Sequence, residues 1–243
     1  MIQTSKNPFV IYEDNHLLAL YKPPAMPVVP DSSCDYSLLD WGKDYIKKTK
    51  NKPGNVFLAV IHRIDRPVSG LVLFARTSKA ASRLSDQMRK HLISKRYLAV
   101  VSGCPESDGD TIETFIKKDR KRNRVTITHC DTKGAKRAIT RWTVLSKRQY
   151  NSLLCLEPVT GRPHQLRVHM AKVLCCPILG DIKYGNNRPV LSGKAIALHS
   201  WSIGVEHPTR KELVRIVCPI PIYEPFDLFQ VSKHGLQKKF LSR

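Results

Sequence analysis

The 243-residue chain has no apolar run approaching the roughly 18 residues that a membrane-spanning helix needs. Its opening, Met1 to Leu20, lacks a basic stretch followed by an apolar block and a small-residue cleavage site, so a secretory signal is not expected. The seven cysteines are odd in number and include no C-x-x-C pair, which argues against a disulfide framework and against a zinc or thiol-redox motif. A cytoplasmic protein is expected. Adjacent Cys175 and Cys176 read as small apolar residues at a helix end. There is no Gly/Ser linker and no internal repeat, so we expect one catalytic-sized domain over residues 1–231, followed by a basic tail over 232–243. Acidic residues are scarce, with 20 Asp+Glu against 41 Lys+Arg and a formal net charge of +21. Charge of that size concerns partners rather than fold. It points to a polyanion, with nucleic acid ahead of an acidic membrane surface.

The excess charge is concentrated. Residues 117–148 hold 12 basic and 2 acidic side chains, about half of the net charge. The densest stretch runs from Lys117 to Arg124 and includes Lys121, Arg122 and Arg124. A solvated hairpin would account for it. The alternation with β-forming residues favours instead strands that hold cations in register against phosphates. No amphipathic helix with a basic face is evident, which weakens the membrane reading.

The pattern of elements is α+β and rich in strands, without regular βαβ alternation. Strands are predicted at Phe9–Tyr12, Leu17–Tyr21, Val56–Ile61, Leu71–Ala75, Tyr97–Val101, Val125–Thr128, Ala138–Leu145, Ser152–Leu156, Ala195–Leu198 and Leu213–Val217. Pro23, Pro24, Pro27 and Pro30 force an extended loop. Ser37 and Asp40 form a capping-box pattern for a helix to about Lys48, and Thr77 or Ser78 caps another. Pro163 suits the first turn of a helix reaching Leu174.

The loop His62–Gly70 lies between two strand candidates and carries Asp65 between Arg63 and Arg66. Neighbouring guanidinium groups favour the ionised carboxylate, which can act as nucleophile or base. The same arrangement also describes a structural ion pair, and chemistry alone does not decide. Gly161–His169 places His164 and Arg167 three residues apart on one helical face. The five-residue spacing of His164 and His169 does not fit a zinc helix, and no acidic pair near Asp65 suggests a Mg²⁺ nuclease. A fixed Arg167 can pair with Asp65 or with phosphate.

Taken in order, these stretches resemble the RluA-type pseudouridine synthases. His62-Arg-Ile-Asp-Arg-Pro-Val-Ser-Gly-Leu71 is similar to the family's HRLDxxTSGL signature. Ile11–Pro24 resembles its opening block, Lys95–Ala99 its Lys-x-Tyr-x-Ala block, and Gly161–His169 its GRTHQIRVH block. Pro177–Gly185 and Leu198-His199 continue the match. The resemblance covers roughly residues 9–220. It implies a mixed, mainly antiparallel sheet with flanking helices and a central cleft, and isomerisation of uridine to pseudouridine in ribosomal or transfer RNA. No metal and no organic cofactor are implied.

By matching position, Asp65 is the expected catalytic aspartate and Arg167 its partner. Tyr97 is expected to stack on the base and assist proton removal at C5. Arg63 is expected to fill the gap left by the flipped nucleotide, with His62, Lys121, Arg122 and Arg124 as further RNA contacts. Val68 and Pro163 replace the usual threonines, and Tyr21 stands where Asn is common. No added N-terminal S4-type domain is expected, and a monomer is the default. The alternative from another class is an inactive RNA-binding or RNA-folding module on the same fold.

Overall fold

The computed structural model describes residues 6–51 and 53–229. The basic tail expected at 232–243 lies outside them. Eleven strands form one sheet: β1 (Phe9–Glu13), β2 (Leu17–Lys22), β3 (Ala59–Val60), β4 (Ser69–Ala75), β5 (Ser94–Ser102), β6 (Gly109–Asp119), β7 (Arg124–Thr128), β8 (Lys136–Arg148), β9 (Asn151–Pro158), β10 (Leu198–Glu206) and β11 (Leu213–Val217). Their order is β1-β2-β4-β10-β5-β9-β8-β6-β7, with β11 on β10 and β3 on β4. All of these pairings are antiparallel except β4 with β10. Among the described residues three α-helices flank the sheet: α1 (Leu38–Thr49), α2 (Ser78–Arg89) and α3 (Gln165–Lys172).

Period-two alternation in β2 assigns the helices to opposite faces. Leu18 and Leu20 pack with Leu38 and Ile46 of α1, whereas Leu17, Ala19 and Tyr21 pack with Ala80 and Leu84 of α2. Both helices start as expected. The Ser37 hydroxyl accepts from the Asp40 amide while Asp40 reaches back to the Ser37 amide, and Thr77 accepts from the Ala80 amide. A cap of this kind contributes about 1 kcal/mol.

Three expectations change. The predicted Val56–Ile61 strand shrinks to the two residues of β3. The reason is competition for one edge of β4, where β10 pairs with Ser69 and Gly70 and β3 with Phe74 and Ala75. A strand predicted at Ala195–Leu198 instead begins at Leu198 and runs to Glu206. It is buried along almost its whole length; Trp201, Ile203 and Val205 alternate with the small Ser200, Ser202 and Gly204, a period-two pattern that the predicted strand stops short of. Pro163 stands outside α3, because His164 adopts a left-handed conformation (φ 51°) at the N-cap.

The parallel contact between β4 and β10 is possible only with glycine at 70. Its φ is +114°, and a Cβ there would lie 2.3 Å from the Ser200 carbonyl oxygen. This contact joins the Asp65 loop directly to the centre of the sheet.

Candidate active site

The loop between β3 and β4 is fixed from beneath. Lys22, at the end of β2, is fully buried, and its ammonium donates to the carbonyls of Pro23, Met26 and Arg66 at 2.9, 2.9 and 3.0 Å. Burial lowers its pKa to about 7 against the pull of Asp65, while the three carbonyls use all its donors. The Ala25 amide donates to the Arg66 carbonyl, and the Ile196 amide to that of Pro67. The loop is thereby clamped to the proline-rich segment and to the segment that leads into β10.

The sequence placed Asp65 between Arg63 and Arg66, but neither of these pairs with it among the described contacts. Arg66 turns to the proline-rich loop, donating to the Ala25 carbonyl and pairing with Asp31 and Asp35. Arg63 is exposed at the cleft. The partner of Asp65 is Arg167, whose Nη1 donates to Oδ2 at 2.9 Å. Arg167 is buried in α3 and is itself held by Asp181, Nε to Oδ2 and Nη2 to Oδ1, both at 2.7 Å. Burial alone would lower the guanidinium pKa; hydrogen bonding and charge from Asp181, with Asp65, outweigh it and raise it. One cation thus serves two carboxylates. Asp181 takes the bidentate fork and Asp65 a single N–H, which leaves Asp65 Oδ1 without a hydrogen-bond partner among the described residues.

Asp65 and Arg167 line a cleft of about 890 Å³ together with Tyr97, His164, Lys118 and Lys183. Tyr97 on β5 is 8 % exposed, and burial raises its hydroxyl to about 12, with Ser200 opposing and Asp65 reinforcing the shift. It therefore enters the cleft as a neutral phenol. Taking a proton from C5 requires that phenol to pass its own proton on.

His62 lines the same cleft, but its ring is committed inward. Nε2 accepts from the Leu73 amide at 3.2 Å, in the gap that β3 and β10 leave along the edge of β4. Burial lowers its pKa to about 3, so it carries no charge for a phosphate. Nε2 thus fills a rung of the ladder, while the ring still lines the cleft where an RNA contact is expected.

The basic hairpin β6–β7 lies at the rim. Lys121 and Arg122 are exposed on its turn. Arg124 is exposed too, but donates to the Lys183 carbonyl and lies over the Tyr184 ring. Lys183 Nζ in turn donates to the Asn123 carbonyl at 3.0 Å, and the Val125 amide to the Tyr184 hydroxyl at 2.8 Å. The hairpin is pinned to the segment that carries Asp181.

Sequence reasoning left Lys22, His164, Asp181 and Tyr184 without roles. All four lie within the matching blocks. A lone Asp in Gly-Asp-Ile-Lys-Tyr-Gly gives no local sign of a partner fourteen residues earlier.

A carboxylate held by a buried guanidinium in a cleft with a tyrosine face, and a cationic rim beside it, is the frame of an enzyme acting on a nucleic-acid base. A sequence profile of the RNA pseudouridylate synthase family matches residues 16–172. The chain belongs to that family, and it isomerises uridine in RNA to pseudouridine. It is 35 % identical over 217 residues to ribosomal large subunit pseudouridine synthase C of Rickettsia typhi, covering 88 % of this chain and 69 % of the relative. It is 33 % identical over 214 residues to the uncharacterized RNA pseudouridine synthase YlyB of Bacillus subtilis, covering 87 % and 69 %. Human RNA pseudouridylate synthase domain containing 1 shares the fold, with a TM-score of 0.73 at 24 % identity, covering 100 % of this chain and 98 % of that one. Domain containing 4 does so with a TM-score of 0.73 at 22 % identity, covering 87 % and 88 %.

Proposed function

We propose that Asp65 is the catalytic carboxylate, that Arg167 positions it, that Tyr97 supports the flipped base, and that the substrate is large-subunit ribosomal RNA. The observation that carries the first assignment is the shared guanidinium. Asp65 is held through one oxygen, next to a cleft wide enough for a nucleoside. In the reaction the N1–C1′ bond breaks, the uracil turns, C5 bonds to C1′, and the C5 proton is exchanged for one on N1. No redox change and no transfer to a second molecule occurs, so one carboxylate suffices. Asp65 either attacks C1′ or removes a sugar proton, and both routes start from its ionised form.

The uridine must leave its stack to reach Asp65. Arg63, exposed on the same loop, is suited to occupy the space vacated. Lys121, Arg122 and Arg124 supply a sequence-independent grip on phosphates. We take the catalytic unit to span 1–231. Ribosomal RNA is favoured over transfer RNA because the Rickettsia typhi relative carries that substrate in its name, and a cytoplasmic location goes with that reading. An inactive RNA-binding module would not require the paired Asp65–Arg167–Asp181 geometry. Pseudouridine mapping in ribosomal and transfer RNA from cells with and without this gene tests the reading. Disappearance of a site from large-subunit RNA supports it. Disappearance from transfer RNA only overturns the substrate, and an unchanged map overturns the activity on both.

A further inference from the structure

We propose that His164 is a positioning residue for Asp65. It presents an Nε2–H to Oδ2 because the Tyr184 hydroxyl, fixed by the Val125 amide of the basic hairpin, occupies its Nδ1. The inference rests on the assignment of Asp65 above.

Hydrogen-bond direction sets the tautomer. The Val125 amide can only donate, so the Tyr184 oxygen is its acceptor, at 2.8 Å. Among the described residues, the one remaining partner of that hydroxyl is His164 Nδ1, also at 2.8 Å. The Tyr184 O–H therefore donates to Nδ1, and a neutral ring keeps its proton on Nε2. Nε2 lies 3.7 Å from Asp65 Oδ2. That exceeds a hydrogen bond, and contacts of this kind commonly tighten when substrate closes the site. Burial, the largest influence, lowers the imidazole pKa; Asp65 pulls it up, and Arg167, Lys183 and Lys118 push it down. The ring is therefore neutral at pH 7.

The backbone points the same way. His164 is the N-cap of α3 yet makes no capping bond with its side chain, and it sits at φ 51°, ψ 14°. A non-glycine residue is held in this region only when its surroundings require it. Here that conformation accompanies a ring set between Tyr184 and Asp65. With Arg167 and His164 both directed at Oδ2, Oδ1 is left as the reacting oxygen. Because Val125 lies in β7 and Tyr184 follows Lys183, the setting of Asp65 is tied to the seat of the hairpin that carries Lys121 and Arg122.

Two conservative variants separate the two nitrogens. His164→Asn retains an acceptor near the Nδ1 position and tolerates the left-handed backbone, but cannot reach Asp65. His164→Gln retains an amide donor near the Nε2 position. Single-turnover rates at saturating enzyme, and binding by filter retention, are measured on total RNA from a strain lacking this gene. His164→Asn is expected to slow the reaction by about tenfold or more with unchanged binding, while His164→Gln stays within about threefold of wild type. Wild-type rate in His164→Asn, or equal slowing by both, overturns the inference. A second measurement needs no turnover. Long-range ¹H–¹⁵N spectra of the native protein, with the His164 signals identified by their loss in His164→Gln, are expected to show Nε2 protonated and Nδ1 bare. A proton on Nδ1 overturns the inference. If Asp65→Asn turns over normally, the assignment of Asp65 fails instead; if Asp65→Asn is inactive and His164→Asn is not, only the role of His164 fails.

Discussion

The Asp65 site and the β6–β7 hairpin both carry several charges, and they treat them in opposite ways. The charges that hold Asp65 in place are buried or half-buried and have named partners: Lys22 has three carbonyls, Arg167 two carboxylates and Asp181 the Arg167 fork. On the hairpin, Lys121 and Arg122 stand in water, and the ion pair reaching Arg122 is Asp119 at 4.0 Å. Buried charges without partners are prohibitively costly, so the site must be matched, and matching fixes geometry. Exposed charges cost little unpaired, so the hairpin can keep a surplus for phosphates. On the proposed reading, one region sets atoms in place and the other gathers the polyanion.

The largest effect that separates them is expected at Asp181. Asp181→Asn leaves the buried Arg167 short of a counter-charge, and we expect a loss of about 3–5 kcal/mol in denaturant unfolding. An unchanged midpoint would mean that the Arg167–Asp181 fork is not what holds the site. On the hairpin, replacing Lys121, Arg122 and Arg124 together by Ala should weaken RNA binding. It should also flatten the slope of log K against log salt by about 2, since each phosphate that a cation neutralises accounts for roughly 0.7–0.9 of that slope. A slope as steep as wild type would move the grip elsewhere on the surface.

A separate effect, on acid stability, comes from buried neutral histidines. Burial lowers His62 and His199 to about 3 and His169 to about 4, below the ordinary value of 6.5. The unfolded chain therefore binds more protons than the native one below pH 6.5. This stability is complete above that pH and is lost as pH falls toward 4 for His169 and toward 3 for His62 and His199, by roughly a kcal/mol per pH unit for each group. Urea melts at pH 7 and pH 5 measure it; equal stability at both would contradict neutral burial. The smallest effect is expected for Arg137→Ala, which breaks the exposed Arg137–Glu113 pair beside the hairpin. No measurable change in unfolding midpoint is expected, and a clear drop would place the hairpin's ion pairs in the same class as those of the site.

The two regions also differ in how far the sequence reveals them. The hairpin's charge and alternation are readable directly, because an exposed strand shows both. The Asp65 loop is readable as a motif, but its wiring is not. Arg66, the neighbour in sequence, turns away, and Arg167, 102 residues on, supplies the contact. Local capping chemistry locates α1 and α2. The true extent of β10 escapes because its small alternate residues Ser200, Ser202 and Gly204 look like a turn, although in the sheet they are buried. The structural task of His62 is equally hidden: accepting the Leu73 amide exists only once β3 and β10 share the edge of β4.

The central claim is that Asp65 acts and the hairpin holds. The direct measurement is a single-turnover assay with saturating enzyme, paired with an RNA-binding isotherm, on Asp65→Asn. We expect at least about a 10³-fold loss of rate, as for removal of a group that acts as nucleophile or base, with binding within a few-fold of wild type. Pseudouridine formation within tenfold of the wild-type rate would contradict the claim.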